Sequence, residues 1–137
     1  MAFADAQKNG LIKYGDEPAT ITLAGTVTKG DALGFSSGWV RALATTGSVV
    51  QMRCVAGEDG VDNQKITAYF GTTIVEGERF SGATIGGALY VAEGTDNGKY
   101  IQTAPSTTGD ANKKVGYALS ATEMAITPNA NVDSLVV

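Results

Sequence analysis

The chain has no histidine and a single cysteine, Cys54, among its 137 residues. Histidine is the commonest general base and the commonest zinc ligand, so its absence argues against an enzyme of ordinary design. One cysteine cannot form an internal disulfide or a site of several thiolates, and within an apolar stretch it is typical of a small buried thiol. We therefore expect a protein that is not an enzyme, needs no metal or other cofactor, and folds without covalent cross-links.

Surplus positive charge and long apolar runs are also missing. The 10 Lys and Arg residues stand against 14 Asp and Glu, and the resulting net charge of -4 leaves no broad basic surface for phosphates. No apolar run approaches the roughly 18 residues that a membrane span requires, and the first residues lack the charged start and apolar core of a secretory signal. We expect a soluble chain, made in the cytoplasm, that binds neither nucleic acid nor membranes.

Proline is scarce, with 3 residues, whereas glycine occurs 18 times. Helical spacing of apolar residues does not persist anywhere for the roughly 11 residues that a helix would need. Short runs of strand-forming composition, separated by glycine-rich or polar turns, favour β-structure instead. They predict one all-β domain, a small β-barrel or sandwich. The predicted strands are Thr20–Ala24, Ala32–Phe35, Trp39–Leu43, Ser48–Val55, Lys65–Ile74, Ala88–Ala92, Lys99–Thr103, Val115–Leu119 and Met124–Thr127.

One sequence pattern occurs twice. Residues 29–47, KGDALGFSSGWVRALATTG, and residues 86–104, GGALYVAEGTDNGKYIQTA, each pass from a glycine bend through Ala-Leu and an aromatic residue to a second glycine turn. Asp96-Asn97-Gly98 is the clearest hairpin turn, because Asn-Gly tolerates the positive φ angles that such a turn needs. Two similar hairpins packed on the intervening strands would close a small β-barrel. The alternative is a chance similarity between two stretches of common strand composition.

The two ends of the chain differ from its body. In residues 1–19 the apolar side chains are isolated and follow neither a helical nor a strand period, which predicts an extended N-terminal arm. The β-domain then occupies residues 20–127, and residues 128–137 form a C-terminal tail. The arm is too apolar for a purely solvated segment. Its large apolar side chains are Phe3, Leu11, Ile12 and Tyr14.

Two acidic groups invite a chemical interpretation. Glu76 and Glu78 are two residues apart and would share one face of a strand, as a glycosidase pair can. Gly77 and Arg79 beside them favour a turn instead. Residues 57–63 contain three carboxylates but lack the ligand spacing of an EF-hand loop. We interpret both groups as surface features.

In the order of its elements the chain resembles the capsid cement or head decoration proteins of tailed double-stranded DNA phages, which have a β-tulip type of barrel. TITLAGTVTKGDALGFSSGWVRAL matches an alternating strand, a Gly-Asp bend and a hydrophobic hairpin, and VEGERF resembles a V-x-G-x-F element with one extra residue. GGALYVAEGTDNGKYIQT matches a Gly-Ala-Leu-Tyr hairpin, and KKVGYALSATEMAI matches the closing pair of strands. The resemblance covers about residues 20–127, and the family's Tyr-Trp is Tyr90-Val91 in this chain.

The resemblance implies a non-enzymatic virion protein that is made in the host cytoplasm, binds the outer surface of the expanded capsid and stabilises the shell. Its partners would be the major capsid protein and further copies of itself in a homotrimer. The four apolar side chains of the arm would bind the capsid, the arm being mobile in the free protein and ordered on the shell. Trp39 and Tyr90 would lie at subunit contacts, although Trp39 is alternatively a core anchor. The other hypothesis is a host-binding module: a tail or fibre tip domain, or a sugar- or receptor-binding β-domain.

Overall fold

The computed structural model describes residues 2–137, which form two antiparallel β-sheets, one of six strands and one of five. The prediction of an all-β fold is confirmed. One turn of 3-10 helix, Glu78–Phe80, is the helical element in this part of the chain. The strands are β1 (Leu11–Gly15), β2 (Pro18–Thr22), β3 (Ala32–Phe35), β4 (Trp39–Arg41), β5 (Cys54–Ala56), β6 (Lys65–Tyr69), β7 (Thr73–Glu76), β8 (Ala88–Val91), β9 (Tyr100–Ile101), β10 (Lys114–Ala118) and β11 (Glu123–Ile126).

The strands of the larger sheet follow the order β1-β7-β11-β10-β8-β9. Their inward side chains form most of the main core. One inward row crosses four neighbouring strands: Ile12 lies opposite Val75, Val75 opposite Met124, and Met124 opposite Ala118. Val75 and Met124 are fully buried. Since burying a side chain of this size stabilises a protein by about 1.5–3 kcal/mol, this row contributes strongly to the fold.

The smaller sheet has the order β2-β6-β5-β3-β4 and curls until its two edges meet. They meet at an isolated parallel bridge between Leu23, just after β2, and Trp39, at the start of β4. The Ala24 N–H donates to the Trp39 carbonyl at 2.8 Å across this junction. The curled sheet surrounds a second apolar cluster, whose buried members are Ile21, Leu23, Val27, Leu33, Cys54, Ala56, Ile66 and Ala68.

The chain changes sheets between β6 and β7. The prediction of one strand over Lys65–Ile74 is wrong, because Lys65–Tyr69 pairs with β2 and β5, whereas Thr73–Glu76 pairs with β1 and β11. Gly71 lies at the crossing, where a Cβ atom would come within 2.8 Å of the Glu17 carboxylate. A continuous run rich in strand-forming residues gives no indication that its two halves belong to different sheets.

The two predicted hairpins are present and lie in different sheets. β3 and β4 end the smaller sheet, and β8 and β9 end the larger one. The turn of the second hairpin docks on the first, because the Ala32 N–H donates to the Gly98 carbonyl at 2.9 Å and the Gly98 N–H donates to the Ala42 carbonyl at 2.8 Å. Gly98 has a φ of 80°, and a Cβ atom there would come within 2.7 Å of the Arg41 side chain. The repeated pattern therefore joins the two sheets at a position that requires glycine.

A buried ion-pair network lies beside this junction. Arg79, just after β7, has a side chain that is only 1% exposed and donates to Asp31 Oδ1 at 2.9 Å. Asp31 Oδ2 accepts from Arg41 Nε at 2.7 Å and from the Thr28 N–H at 2.8 Å. The Arg79 guanidinium also lies 5.8 Å from the ring of Tyr100, a buried residue whose pKa is raised by its burial. Every charge in the network has a partner, so no buried charge is uncompensated. These contacts connect β9 and the segment after β7 to the smaller sheet.

The N-terminal segment does not form an arm outside the sheets, and that prediction is wrong for its second half. β1 pairs with β7, and β2 begins at Pro18, so the predicted domain boundary at residue 19 falls inside a strand. The register shifts between Ile12 and Tyr14, where Lys13 forms a β-bulge. A bulge breaks the two-residue alternation of side chains, and this is why the sequence shows no strand period here.

Asp133 docks the C-terminal tail on the domain. Its carboxylate accepts two hydrogen bonds of 2.7 Å from Arg53 and one of 3.0 Å from Lys113, whose side chain is buried. The hydrogen bonds from Arg53, supported by Lys113, lower the pKa of Asp133 from 3.8 to about 2. Further along, Leu135 forms an isolated antiparallel bridge with Ala111. The tail is therefore part of the folded unit.

Asp31→Asn should destabilise the protein by about 3–5 kcal/mol, because the amide leaves the buried Arg79 guanidinium without a counter-charge. The free energy of unfolding from urea denaturation measures this loss. Asp62→Asn is the matched control, since Asp62 is exposed and its substitution should leave the free energy of unfolding almost unchanged. Equal losses in the two variants would contradict the role assigned to the network.

Protonation of Asp133 should weaken the fold in acid. A carboxyl group whose pKa is lowered in the folded protein stabilises it above the unfolded pKa, and this contribution is lost as the pH falls through the folded value. We expect wild type to be more stable than Asp133→Asn near neutral pH, and the difference to shrink as the pH falls from about 4 to about 2. Urea denaturation of both proteins across this range measures it. A difference that stays constant into the most acidic buffer would show that the tail is held in another way.

Candidate interaction surface

The outer face of the larger sheet carries a continuous row of apolar residues. Directly paired residues of antiparallel strands point to the same face. The register aligns Tyr14 with Ile74 and Ile74 with Ala125. It also aligns Ala125 with Tyr117 and Tyr117 with Ala88. These five residues, termed the apolar band, cross five of the six strands. Tyr14 is 52% and Tyr117 43% exposed, Ile74 and Ala88 are half-buried, and Ala125 between them is buried.

Further exposed apolar side chains lie beside the band. Leu119 lies two residues beyond Tyr117 and therefore leaves the sheet on the same side. Leu11 is exposed on β1, next to the inward-facing Ile12. Ile85 is exposed in the turn before β8. The backbone of this turn hydrogen-bonds to the end of β10. Exposed apolar residues grouped on one side of a sheet are typical of contact sites in soluble proteins.

A bulge in β10 determines which of its residues face outward. The register with β8 shifts just before Gly116, so that the fully buried Val115 and Gly116 both face the core. A Cβ atom at Gly116 would lie only 2.2 Å from the Ala125 carbonyl oxygen, which explains why glycine occupies this position. Two consecutive inward residues reverse the alternation, and Tyr117 is consequently placed on the outer face.

Exposed ion pairs border the band. Lys13 Nζ pairs with Glu123 and lies 3.9 Å from the Glu76 carboxylate. Glu78 instead pairs with Lys8, and this hydrogen bond lowers the pKa of Glu78. Glu76 and Glu78 thus bind different lysines and do not form the facing carboxylates of a glycosidase. Since these groups, apart from the largely covered Glu123, are in contact with solvent, the ion pairs contribute little to stability.

The four apolar residues of the predicted arm divide between two environments. Phe3 is half-buried, its ring edge-to-face with that of Phe80 at a centroid distance of 6.0 Å. Ile12 also packs against the main core. Leu11 and Tyr14 are exposed and are held on β1. The structure therefore brings Tyr14 into the apolar band and Leu11 beside it, but leaves Phe3 and Ile12 inside the domain.

The two residues predicted at subunit contacts lie on different sheets. Trp39 is half-buried between Phe35 and Phe70, with centroid distances of 5.3 and 5.5 Å and edge-to-face geometry. Phe35 itself is 62% exposed. Tyr90 is half-buried on β8, two residues from Ala88, and so shares the outer face with the apolar band. A subunit contact through either residue stays a prediction.

Three exposed apolar residues are not evident from the sequence: Tyr117, Leu119 and Ile85. Val115, Tyr117 and Leu119 alternate with small residues, a pattern that is typical of one buried strand face. Gly116 is the residue in the sequence that points to the exposure of Tyr117 and Leu119, because a glycine inside a strand indicates a bulge or a close backbone approach. Such a bulge would have separated the buried Val115 from the two exposed residues that follow it.

Few other groups in residues 2–137 could bind a metal ion or react. Within residues 2–137, no three or more His, Cys, Asp or Glu side chains are grouped to hold a metal ion, and in the same residues no helix is both long and apolar enough to cross a membrane. Cys54 is buried, as predicted, and burial raises the pKa of its thiol to about 12, which suppresses its reactivity. In the acidic loop 57–63, Asp59 accepts hydrogen bonds from Lys29 and Asn9, and the Lys29 N–H lowers its pKa.

No protein-family model, no curated protein and no solved structure matches this chain.

Proposed function

We propose that this protein is a structural component of a phage virion that binds the outer surface of the expanded capsid and stabilises the shell. The observation that carries the proposal is the apolar band, which presents the exposed rings of Tyr14 and Tyr117 on a sheet whose other face packs the main core. The order of sequence elements over residues 20–127 supports it independently. The partners would be the major capsid protein and further copies of this chain, arranged as a homotrimer on the shell.

The geometry of the band suits binding to a lattice. Tyr14 and Tyr117 are held on paired strands, so little conformational entropy is lost when they are covered. Complete burial of one large apolar side chain is worth on the order of 1.5–3 kcal/mol, and part of that gain offsets the loss of rotational and translational freedom. One copy would bind weakly, whereas copies that also contact each other on a shell gain from effective concentration.

Lysines and glutamates around the band give such a contact its orientation. The group of Lys13, Glu76 and Glu123 places charges of both signs next to apolar surface. Apolar centres with polar rims are the usual composition of protein interfaces. A net charge of -4 makes nucleic acid inside the shell an unsuitable partner and is compatible with the outer surface.

The double variant Tyr14→Ser/Tyr117→Ser tests the proposal. Cosedimentation with expanded shells of the cognate major capsid protein should show at least about a tenfold loss of affinity, equivalent to about 1.4 kcal/mol. Val61→Ser is the control, since Val61 is an exposed apolar residue in the loop between β5 and β6, away from the larger sheet. Circular dichroism and thermal unfolding establish that both variants remain folded.

Two results would contradict this proposal. Wild type that binds neither expanded nor unexpanded shells is not a decoration protein. If wild type and the double variant bind equally well, the contact lies on another surface, such as the one around Trp39.

The second candidate function is a host-binding module, which Phe35 favours. Its ring is exposed at the end of β3 and is braced by Trp39 at a centroid distance of 5.3 Å. An exposed, rigid aromatic face suits stacking against a sugar ring. If this candidate is correct, Phe35→Ser abolishes binding to host-cell glycans, and the variants of the apolar band retain it.

A further inference from the structure

The chain contains two Asn-Gly pairs, Asn9-Gly10 and Asn97-Gly98. Asparagine is most reactive in this context, because glycine has no side chain to shield its backbone nitrogen from the preceding side-chain amide. Attack of that nitrogen on the asparagine Cγ converts the amide into a cyclic imide and releases ammonia. Both asparagines are exposed, so water reaches them. Each pair is therefore a candidate for spontaneous chemical modification.

Asn97 lies in a hydrogen-bonded turn of the β8–β9 hairpin. The Lys99 N–H donates to the Asp96 carbonyl at 3.1 Å and closes the turn. Gly98, its third residue, has a φ of 80°, the value that a type II turn requires at this position. The cyclic imide would contain the Asn97 Cα–C bond, and the closed turn restrains rotation about that bond. The fold therefore limits how closely the two reacting atoms approach.

The attacking nitrogen is itself part of the junction between the two sheets. The Gly98 N–H donates to the Ala42 carbonyl at 2.8 Å, and the Gly98 carbonyl accepts from the Ala32 N–H at 2.9 Å. Gly98 is buried, although Asn97 beside it is exposed. The nitrogen must lose its proton before it attacks, and a hydrogen bond made by the protonated form opposes that loss. The docked hairpin thus protects Asn97.

We propose that Asn97 is a site of spontaneous deamidation that reacts when the β8–β9 hairpin undocks from the smaller sheet. On undocking, the Gly98 nitrogen gives its proton to solvent and forms a bond to Asn97 Cγ. The Cγ–Nδ2 bond then breaks, and the amide nitrogen leaves as ammonia. Water opens the cyclic imide at one of its two carbonyl carbons, which yields either aspartate or isoaspartate. The net reaction consumes one water molecule and releases one ammonia.

Isoaspartate at position 97 would prevent the hairpin from docking in the same way again. Its backbone continues through Cβ and Cγ, which adds one atom to the path through the turn. The N–H and the carbonyl of Gly98 then no longer meet Ala42 and Ala32 with the spacing that the two hydrogen bonds require. Aspartate keeps the normal backbone and both bonds. Formation of isoaspartate therefore makes an opening of the junction irreversible.

The other Asn-Gly pair provides a reference within the same molecule. The Gly10 N–H donates to the Lys29 carbonyl at 3.0 Å, and Asn9 Nδ2 donates to the Asp59 carboxylate at 3.1 Å. These contacts do not involve the β8–β9 hairpin. In the unfolded chain the two asparagines have the same following residue and should react at similar rates. A change that loosens the hairpin alone should therefore favour reaction at Asn97.

Peptide mapping by mass spectrometry, after incubation in mildly alkaline buffer, tests the site. Asn97 should deamidate at least about a hundredfold faster in guanidinium chloride than in the folded protein, because docked segments open rarely. Thr45→Val removes the hydroxyl that accepts from the Gly94 N–H at 2.7 Å, a second contact of the hairpin. In the folded protein it should accelerate Asn97 about three- to tenfold, and Asn9 less. Thr20→Val, at an exposed position of β2, is the control and should leave both rates unchanged.

Thermal unfolding of the separated products provides a second measurement. The isoaspartate form should have a Tm at least about 4 °C below that of the unmodified protein, since two hydrogen bonds are lost. Asn97→Asp, which has the normal backbone, should unfold near the wild-type Tm.

Three results would overturn the proposal. Asn97 could react equally fast in the folded and unfolded chain, which would show that docking does not protect it. Equal acceleration of Asn9 and Asn97 by Thr45→Val would show that global unfolding, and not the hairpin, controls the reaction. An isoaspartate form with the wild-type Tm would show that the junction tolerates the modification. None of these measurements involves a capsid, so the inference does not rest on the proposed function.

Discussion

The arrangement of the two sheets depends on the buried charge of Arg79. Its guanidinium comes from the 3-10 turn that follows β7 of the larger sheet and donates to Asp31, which precedes β3 in the smaller one. A buried cation without its counter-charge would be costly, so neither sheet can shift relative to the other without breaking the pair. The nearby Gly98 turn supplies backbone hydrogen bonds in the same region. Apolar packing stabilises the interior, and the ion pairs determine how the two sheets are oriented.

That fixed orientation determines which face of the larger sheet contacts solvent. Its inward face is covered by the smaller sheet and the main core, and no described residue covers Tyr14 or Tyr117 completely. Polar strand-forming residues such as threonine would also be compatible with a stable sheet at these two positions. Rigid support beneath exposed tyrosines is instead what a contact surface requires, because the binding energy is not spent on ordering the chain.

The sequence was sufficient for the fold class and for both hairpins, because strand composition and glycine-containing turns are local signals. It was insufficient wherever the two-residue period is broken. Lys13 and Val115 lie at bulges, and these two irregularities concealed strand β1 and the outward position of Tyr117. The predicted strand Ser48–Val55 is replaced by the strand Cys54–Ala56 and an isolated bridge between Val50 and Leu43. The contact between the Asp110 and Glu93 carboxyl groups was invisible for another reason: it joins two loops that lie apart in the sequence.

The bulge at Lys13 also affects the behaviour of the protein at high concentration. β1 is an edge strand of the larger sheet, and a flat edge offers unpaired backbone groups to the edge of any neighbouring molecule. A bulge twists the edge, and a lysine there adds charge and hydration, so that another strand cannot continue the sheet in register. Copies of this protein can therefore be crowded together through their side-chain surfaces without extending one another's sheets into fibrils.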